Sequence, residues 1–287
     1  MLTKEEFQEK LRQGLYLLDG ATGSNLRAAG MPKGCCTEQW ILEHPEPLVA
    51  LQRAYTAAGA QILYAPTFQA QPIALKAIGW EQRTEQINEM LAALSRSAAP
   101  HCLIAGDLTT LATFCDSWDP DCFDLLVENY RRQIRGLMAG GVDLLVGETL
   151  LYQQEAEAIL TAAELEGAGA VLYSFTMQPD GSLFSGADAG PILAELEEAG
   201  AAAVGFNCVA ADMMTPYLVS KLRRYVKGPL ICKPNAGMPT INPQGIAEYA
   251  MTPEEFAEIM AQCRRNGASL LGGCCGTTPA HIQALGM

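Results

Sequence analysis

Three cysteines stand in unusual company. Cys208 ends an apolar run, and Cys274-Cys275 sit side by side with Gly272-Gly273 before them and Gly276 after. Thiolates suit zinc in tetrahedral geometry, with Zn–S distances of about 2.3 Å, and a catalytic zinc takes three protein ligands and leaves one position open. Adjacent residues of an extended chain point opposite ways, so both sulfurs of the pair face one ion only if the backbone bends there. The flanking glycines permit that bend. Small buried core cysteines are the plain alternative for any one of the three. Three of them at strand ends in a glycine-rich setting favour a metal. The remaining cysteines of the ten read differently. Cys35, Cys36, Cys115 and Cys122 fall on or near longer loops and lack Cys-x-x-Cys spacing, so they read as free thiols and not as a second metal site. The three histidines are His44, His101 and His281. None falls at a useful strand end, so no histidine base is expected, and metal activation of a thiol makes one unnecessary.

Something must bring Cys208 to the 274–275 pair. Short apolar runs recur along the chain: Leu15–Ala21, Gln61–Phe68, Cys102–Leu108, Val142–Thr149, Ala170–Met177, Ala202–Cys208, Leu230–Gly237 and Ser269–Gly276. Each is brief and continuous, as expected of a strand buried on both faces of a parallel sheet. Helical patterns separate most of them, among them Glu46–Ala58 ending at Gly59, Cys122–Ala139, Gln153–Leu165 and Pro191–Glu198. Thr252-Pro253-Glu254-Glu255 reads as an N-cap with proline at the first helical position. Eight such alternations predict an α/β fold, a single (β/α)8 TIM barrel, with residues 1–287 as one domain. A doubly wound open sheet is the second choice, and it lacks a Gly-x-Gly-x-x-Gly after the first strand.

In such barrels the working residues lie at the C-terminal ends of strands. Those ends carry Asp19-Gly20-Ala21-Thr22, Asp107, Glu148-Thr149, Asn207-Cys208, Asn235 and Cys274-Cys275. Six polar ends at one rim are hard to explain as packing. Composition narrows the partners. A net charge of −13 argues against nucleic acid and anionic lipid. The charged start, Met1 to Lys10, lacks the apolar core of a secretory signal, and no apolar run is long enough to span a membrane. A cytoplasmic enzyme is expected, where reduced thiols are the rule and a disulfide framework is a poor fit.

The segment Gly272-Gly273-Cys274-Cys275-Gly276-Thr277-Thr278-Pro279 resembles the C-terminal signature of the homocysteine S-methyltransferase family. Leu18-Asp19-Gly20-Ala21-Thr22-Gly23, Gly141-Val142-Asp143 with Gly147-Glu148-Thr149, Gly205-Phe206-Asn207-Cys208 and Pro234-Asn235-Ala236-Gly237 are similar to other stretches of that family, in the same order. The resemblance implies a zinc barrel that methylates homocysteine to methionine, with Cys208, Cys274 and Cys275 as the metal ligands. It makes Glu148, Asp19 and Asn235 the catalytic candidates, with Asn235 filling the open metal position before substrate arrives. Asp19, Gly20, Ala21, Thr22, Glu148 and Asn207 are the substrate-binding candidates. Asp19 and Glu148 suit the ammonium of homocysteine, and the backbone N–H groups of the turn from Gly20 to Ser24 suit its carboxylate. Cys232 alternates away from Asn235 and is left to packing.

Two strand ends depart from the family pattern, Tyr64-Ala65-Pro66-Thr67-Phe68 and Gly106-Asp107-Leu108-Thr109-Thr110. Both flank the donor side and spare the metal. The segment from Thr67 to Gly79 is most similar to the homocysteine domain of cobalamin-dependent methionine synthase, so the expected donor is methylcobalamin on a separate corrinoid protein. S-methylmethionine, betaine, or no catalysis in a zinc-binding partner module are the alternatives. A small onium donor would call for an aromatic cage, for which Trp40, Trp80 and Trp118 are available.

Overall fold

The apolar runs become strands that are almost wholly buried, as a sheet covered on both faces requires. The computed structural model describes residues 1–13, 16–114 and 120–286. Its strands are β1 (Tyr16–Leu17), β2 (Ile62–Tyr64), β3 (Leu103–Thr109), β4 (Leu144–Leu150), β5 (Val171–Phe175), β6 (Ala203–Ala210), β7 (Leu230–Asn235), β8 (Thr240–Ile241), β9 (Ala247–Glu248) and β10 (Leu270–Leu271). All but β8 and β9 form one eight-stranded sheet in the order β1-β10-β7-β6-β5-β4-β3-β2. Its neighbours pair in parallel, and the two ends of the sheet meet. Leu18 bridges Ile62 in parallel, and the Gln61 N–H donates to the Leu17 carbonyl at 2.8 Å. The fold is therefore a closed (β/α)8 barrel and not an open doubly wound sheet.

The helices lie close to the expected stretches: Pro45–Ala57, Pro120–Ala139, Gln153–Glu166, Ala189–Glu198 and Pro253–Arg265. Thr252 caps the last of these reciprocally with Glu255, as the sequence signature requires. Two apolar layers result. Leu18, Ile62, Ala105, Val146, Leu172, Ile231 and Leu270 fill the barrel interior. A larger cluster, with Tyr130, Ile134, Tyr173, Phe206 and Cys232, packs the sheet against the helices.

Two of the elements that the sequence reading does not name stand at the mouths of the barrel. The helix Lys4–Leu11, capped reciprocally by Thr3 and Glu6, buries Phe7 and Leu11 within the interior cluster. Leu2 ties it to the sheet, donating to the Asp143 carbonyl and accepting from the Ala170 N–H. Both partners stand just before β4 and β5, so this helix closes the N-terminal mouth. Burying Phe7 fully is worth about 1.5–3 kcal/mol. The second element is the β8–β9 hairpin, which follows β7 at the opposite mouth. Lys33 braces it by donating to the carbonyls of Gln244 and Gly245. No helix among the described residues is long and apolar enough to cross a membrane.

Candidate metal and substrate site

Above its apolar floor the barrel interior turns polar. Lys233 points inward from β7 and is 3 % exposed. Its Nζ lies 3.0 Å from Glu148 Oε1, 3.6 Å from Asp19 Oδ1, and 4.6 Å from the centre of the Tyr64 ring. Gly272 of the last strand end makes the room: a Cβ there would lie 2.7 Å from the Leu18 Cβ and 3.3 Å from the Lys233 Cγ. Asp19 also accepts the Tyr64 N–H at 2.8 Å through its second oxygen. Asp107 completes the group, buried, with its Oδ1 lacking a hydrogen-bond partner among the described residues.

Two carboxyl groups thus flank one ammonium, and the third, Asp107, feels the charges of Glu148 and Lys233. Burial alone would discharge Lys233, but Glu148 and Asp19 outweigh it and hold the lysine charged well above its ordinary value. Burial pushes Asp19 up to about 7 against the pull of Lys233. Burial, and then the Glu148 charge, push Asp107 well above the carboxylate range. Glu148 is also raised by burial, and Lys233 opposes the shift. The pocket therefore has unspent capacity for a second cation.

A pH dependence follows for Asp19. Its folded pKa of about 7 exceeds the usual 3.8, so the folded state holds the proton longer than the unfolded chain does. The contribution to stability is complete below about pH 4 and is lost as pH rises toward about 7. Asp19→Asn keeps an acceptor for the Tyr64 N–H and removes this loss. Urea midpoints of the metal-free protein at pH 5 and pH 8 should show the variant gaining on the parent as pH rises. Parallel profiles would contradict the assignment.

The cysteines sit at the rim above this polar layer. The sulfurs of Cys208, Cys274 and Cys275 all lie within 4.8 Å of one another. Tetrahedral ligation with Zn–S near 2.3 Å sets sulfurs about 3.8 Å apart, so the spacing suits a single ion with small adjustments. Among the described residues no other group of three or more His, Cys, Asp or Glu is so arranged. The backbone does bend where the glycines stand. Cys275 and Gly276 form a turn, with Gly276 at φ +80°, and Thr277 donates its N–H and its hydroxyl to the Cys274 carbonyl at 3.1 and 2.8 Å. Three thiols this close share charge. Hydrogen bonds from Cys208 and Cys274, with a contribution from Tyr249, hold Cys275 low, while hydrogen bonding to Cys274 and Cys275, and burial, push Cys208 up.

Cys208 reaches the group through a backbone irregularity. The β6–β7 register breaks between Asn207 and Ala210, and Cys208 has φ +58°. A left-handed residue other than glycine costs about 1–3 kcal/mol and persists only where its surroundings impose it. Thr149 repeats the pattern on β4, with φ +59° inside the Gly147–Leu150 break. Asn207 is fully buried and joins the two places, accepting the Thr149 N–H at 2.9 Å and donating to the Thr149 hydroxyl at 2.7 Å. Its Nδ2 also lies 3.7 Å from Cys274 Sγ.

The other candidates fall around this centre. Asn235 tops β7 on the same inward face as Lys233, with its Oδ1 buried and lacking a hydrogen-bond partner among the described residues. The turn at Gly20-Ala21-Thr22 packs against the last strand end. The Ala21 N–H is already given to Thr277 Oγ1 at 3.1 Å, and the Ala21 carbonyl accepts from Tyr55 at 2.8 Å. Cys232 is fully buried against Met260 on the outer face of the sheet. Cys35 and Cys36 are free thiols, whereas Cys122, read above as a thiol, is disulfide-bonded. Cys115 and Trp118 lie outside the described residues. Trp40 stacks on His44 with ring centres 5.2 Å apart, and Arg83 sits 4.7 Å over Trp80. Both indoles pack on a separate apolar cluster around Leu26 and Ile41.

Sequence reasoning passed over Lys233, Tyr64 and Tyr249. The first had a signal: strand alternation puts Lys233 on the face of Asn235. Tyr249 follows β9, and its ring lies directly against Gly276, where a Cβ would come within 2.2 Å of it.

Comparison with known proteins adds to this geometry. A family described as homocysteine S-methyltransferase matches residues 16–287. Methionine synthase of Mycobacterium tuberculosis (strain ATCC 25618 / H37Rv) is 28% identical over 295 residues, which cover 95% of this chain and 24% of that protein. The Mycobacterium leprae (strain TN) methionine synthase is also 28% identical, over 96% of this chain and 24% of its own. The chain thus spans about a quarter of the length of these curated relatives. Among solved structures, the metallated form of the homocysteine methyltransferase MmuM from Escherichia coli superposes with a TM-score of 0.80 at 27% identity, covering 96% of each chain. The oxidized form of the same protein gives 0.81 at 25% identity, covering 95% of each.

Proposed function

The chain belongs to the homocysteine S-methyltransferase family, and we propose that it methylates homocysteine to methionine at the three-cysteine centre, with zinc as the resident ion and a separate methyl-corrinoid protein as donor. The observation that carries this reading is three thiols within 4.8 Å of one another above a pocket whose buried carboxyl groups outnumber its one lysine. The donor set fits zinc: soft sulfur ligands, three in number, with room for a fourth. Zinc, when bound, keeps a thiol ionised at neutral pH, and three thiolates leave the centre at a net −1, so a substrate sulfur stays electron-rich.

The chain's own residues do the rest. Asp19 and Glu148 accept the substrate ammonium, and Lys233 fixes their orientation from below. Asn235, with an unpartnered Oδ1, is the group that yields its place to substrate. Asn207, a substrate candidate by sequence, has both ends of its amide engaged with Thr149. The corrinoid donor is favoured by the similarity to methionine synthases along 95% of this chain. The second reading, a small donor such as S-methylmethionine, draws on the match to MmuM over 96% of both chains.

One screen separates the readings. Homocysteine and the zinc-loaded protein are offered methylcobalamin, a methylated corrinoid protein, S-methylmethionine or betaine, and methionine is measured. Methionine from the corrinoid arms alone is expected. Turnover with S-methylmethionine or betaine alone overturns the donor assignment, and no methionine in any arm overturns the activity. Before any donor is added, mixing homocysteine with the zinc protein at neutral pH should release about one proton, because a thiol of pKa near 8.5 must ionise to join the metal.

A further inference from the structure

We infer that Asn207 is a positioning residue for the three-cysteine centre: by clipping β6 to Thr149 of β4, it holds Cys208 in the left-handed conformation that turns its sulfur toward Cys274 and Cys275. This rests on the metal reading proposed above and adds to it a cause for the geometry of the site.

Two left-handed residues that are not glycine, Thr149 and Cys208, interrupt two strands at comparable places. Each lies inside a register break of its own strand. Strands β4 and β6 are not neighbours, since β5 lies between them, so sheet hydrogen bonds do not couple the two breaks. The Asn207 amide does. Its carbonyl takes the Thr149 N–H at 2.9 Å, and its Nδ2 gives to the Thr149 hydroxyl at 2.7 Å. The same Nδ2 stands 3.7 Å from Cys274 Sγ, so one fully buried side chain touches a metal-ligand candidate on β10's C-terminal end while adjoining another on β6.

The residue type is demanded by this arrangement. The clip needs one acceptor and two donors on a short planar group, which asparagine alone supplies. Aspartate would lose both donors and add negative charge beside three thiolates. Alanine would free Asn207's neighbour to relax out of the left-handed region, and Cys208 Sγ would swing away from the pair.

The test uses the full chain, with Co2+ as a spectroscopic probe and Zn2+ in chelator competition. Asn207→Ala is expected to weaken Zn2+ binding about 10–100-fold, the usual range for a residue that orients a metal ligand, and to lower the thiolate-to-cobalt charge-transfer absorption. Thr149→Ala should do the same to a lesser degree, and Thr149→Ser should behave as the parent. The double variant should be no worse than Asn207→Ala alone, because both act through one link. If Asn207→Ala fails to fold, the Thr149 pair carries the test. A merely structural role would lower the melting temperature of the metal-free protein and leave metal affinity and the cobalt spectrum unchanged, which would overturn the inference. Failure of the parent protein itself to bind either ion would instead sink the metal reading.

Discussion

Replacing Cys208, Cys274 or Cys275 with serine is expected to lower zinc content from about one ion per chain to near none and to remove thiol methylation with it. The hydroxyl of serine is close in size to the thiol but does not ionise near neutral pH, so each variant keeps the shape of the site and deletes one ligand. The loss in affinity should exceed the 10–100-fold typical of residues that only orient a ligand. Folding should be little affected at Cys208 and Cys275, which are only half-buried, and more affected at Cys274, which is buried. The informative control is Cys35→Ser with Cys36→Ser. These two thiols are also adjacent, but Cys35 is exposed and bonds to the Pro32 carbonyl, while Cys36 faces Glu38. If the metal belongs to the barrel mouth, the control retains full zinc by elemental analysis and full activity. Retention of both by any one of the three serine variants would remove that cysteine from the ligand set.

The eight strands were legible because a parallel strand covered on both faces must be apolar along its length, and nothing else in this chain makes such short, evenly spaced runs. The rim residues were legible for the converse reason: Asp19, Glu148, Asn207 and Asn235 interrupt apolar sequence at the ends of strands, where packing does not ask for them. Lys233 interrupts it too, in Leu-Ile-Cys-Lys-Pro-Asn, but an isolated lysine in a strand reads as solvent-facing until its partners are known, and those partners come from β4 and the end of β1. The left-handed Thr149 and Cys208 left no trace in composition. Backbone strain at residues other than glycine is imposed by tertiary contacts, here the Asn207 amide, and local propensity says nothing of it. The helix Lys4–Leu11 was hidden by its charge. Only Phe7 and Leu11 face the barrel floor, too few positions for a periodic signal in so short a stretch.

Lys233→Met is the substitution expected to cost most in stability. The side chains are similar in length, so the space beside Gly272 stays filled, but Asp19 and Glu148 lose their counter-ion. These groups are 2% and 7% exposed, and breaking a buried pair by removing one partner costs about 3–5 kcal/mol. The carboxyl groups can escape that cost by holding protons, which gives the prediction its sign. Without the lysine their folded pKa values rise further above those of the unfolded chain, so the stability they contribute is complete below about pH 4 and is lost as pH rises. The variant should therefore lie closest to the parent near pH 5 and fall furthest behind near pH 8, as read from urea midpoints of the metal-free protein. A deficit independent of pH would mean that Lys233 fills space and carries no electrostatic role. The same reasoning reaches the substrate. Homocysteine brings an ammonium to a pocket that, in this variant, lacks its own, so homocysteine should raise the melting temperature of Lys233→Met by more than that of the parent at pH 8. An equal rise in both proteins would place the substrate ammonium away from Asp19 and Glu148.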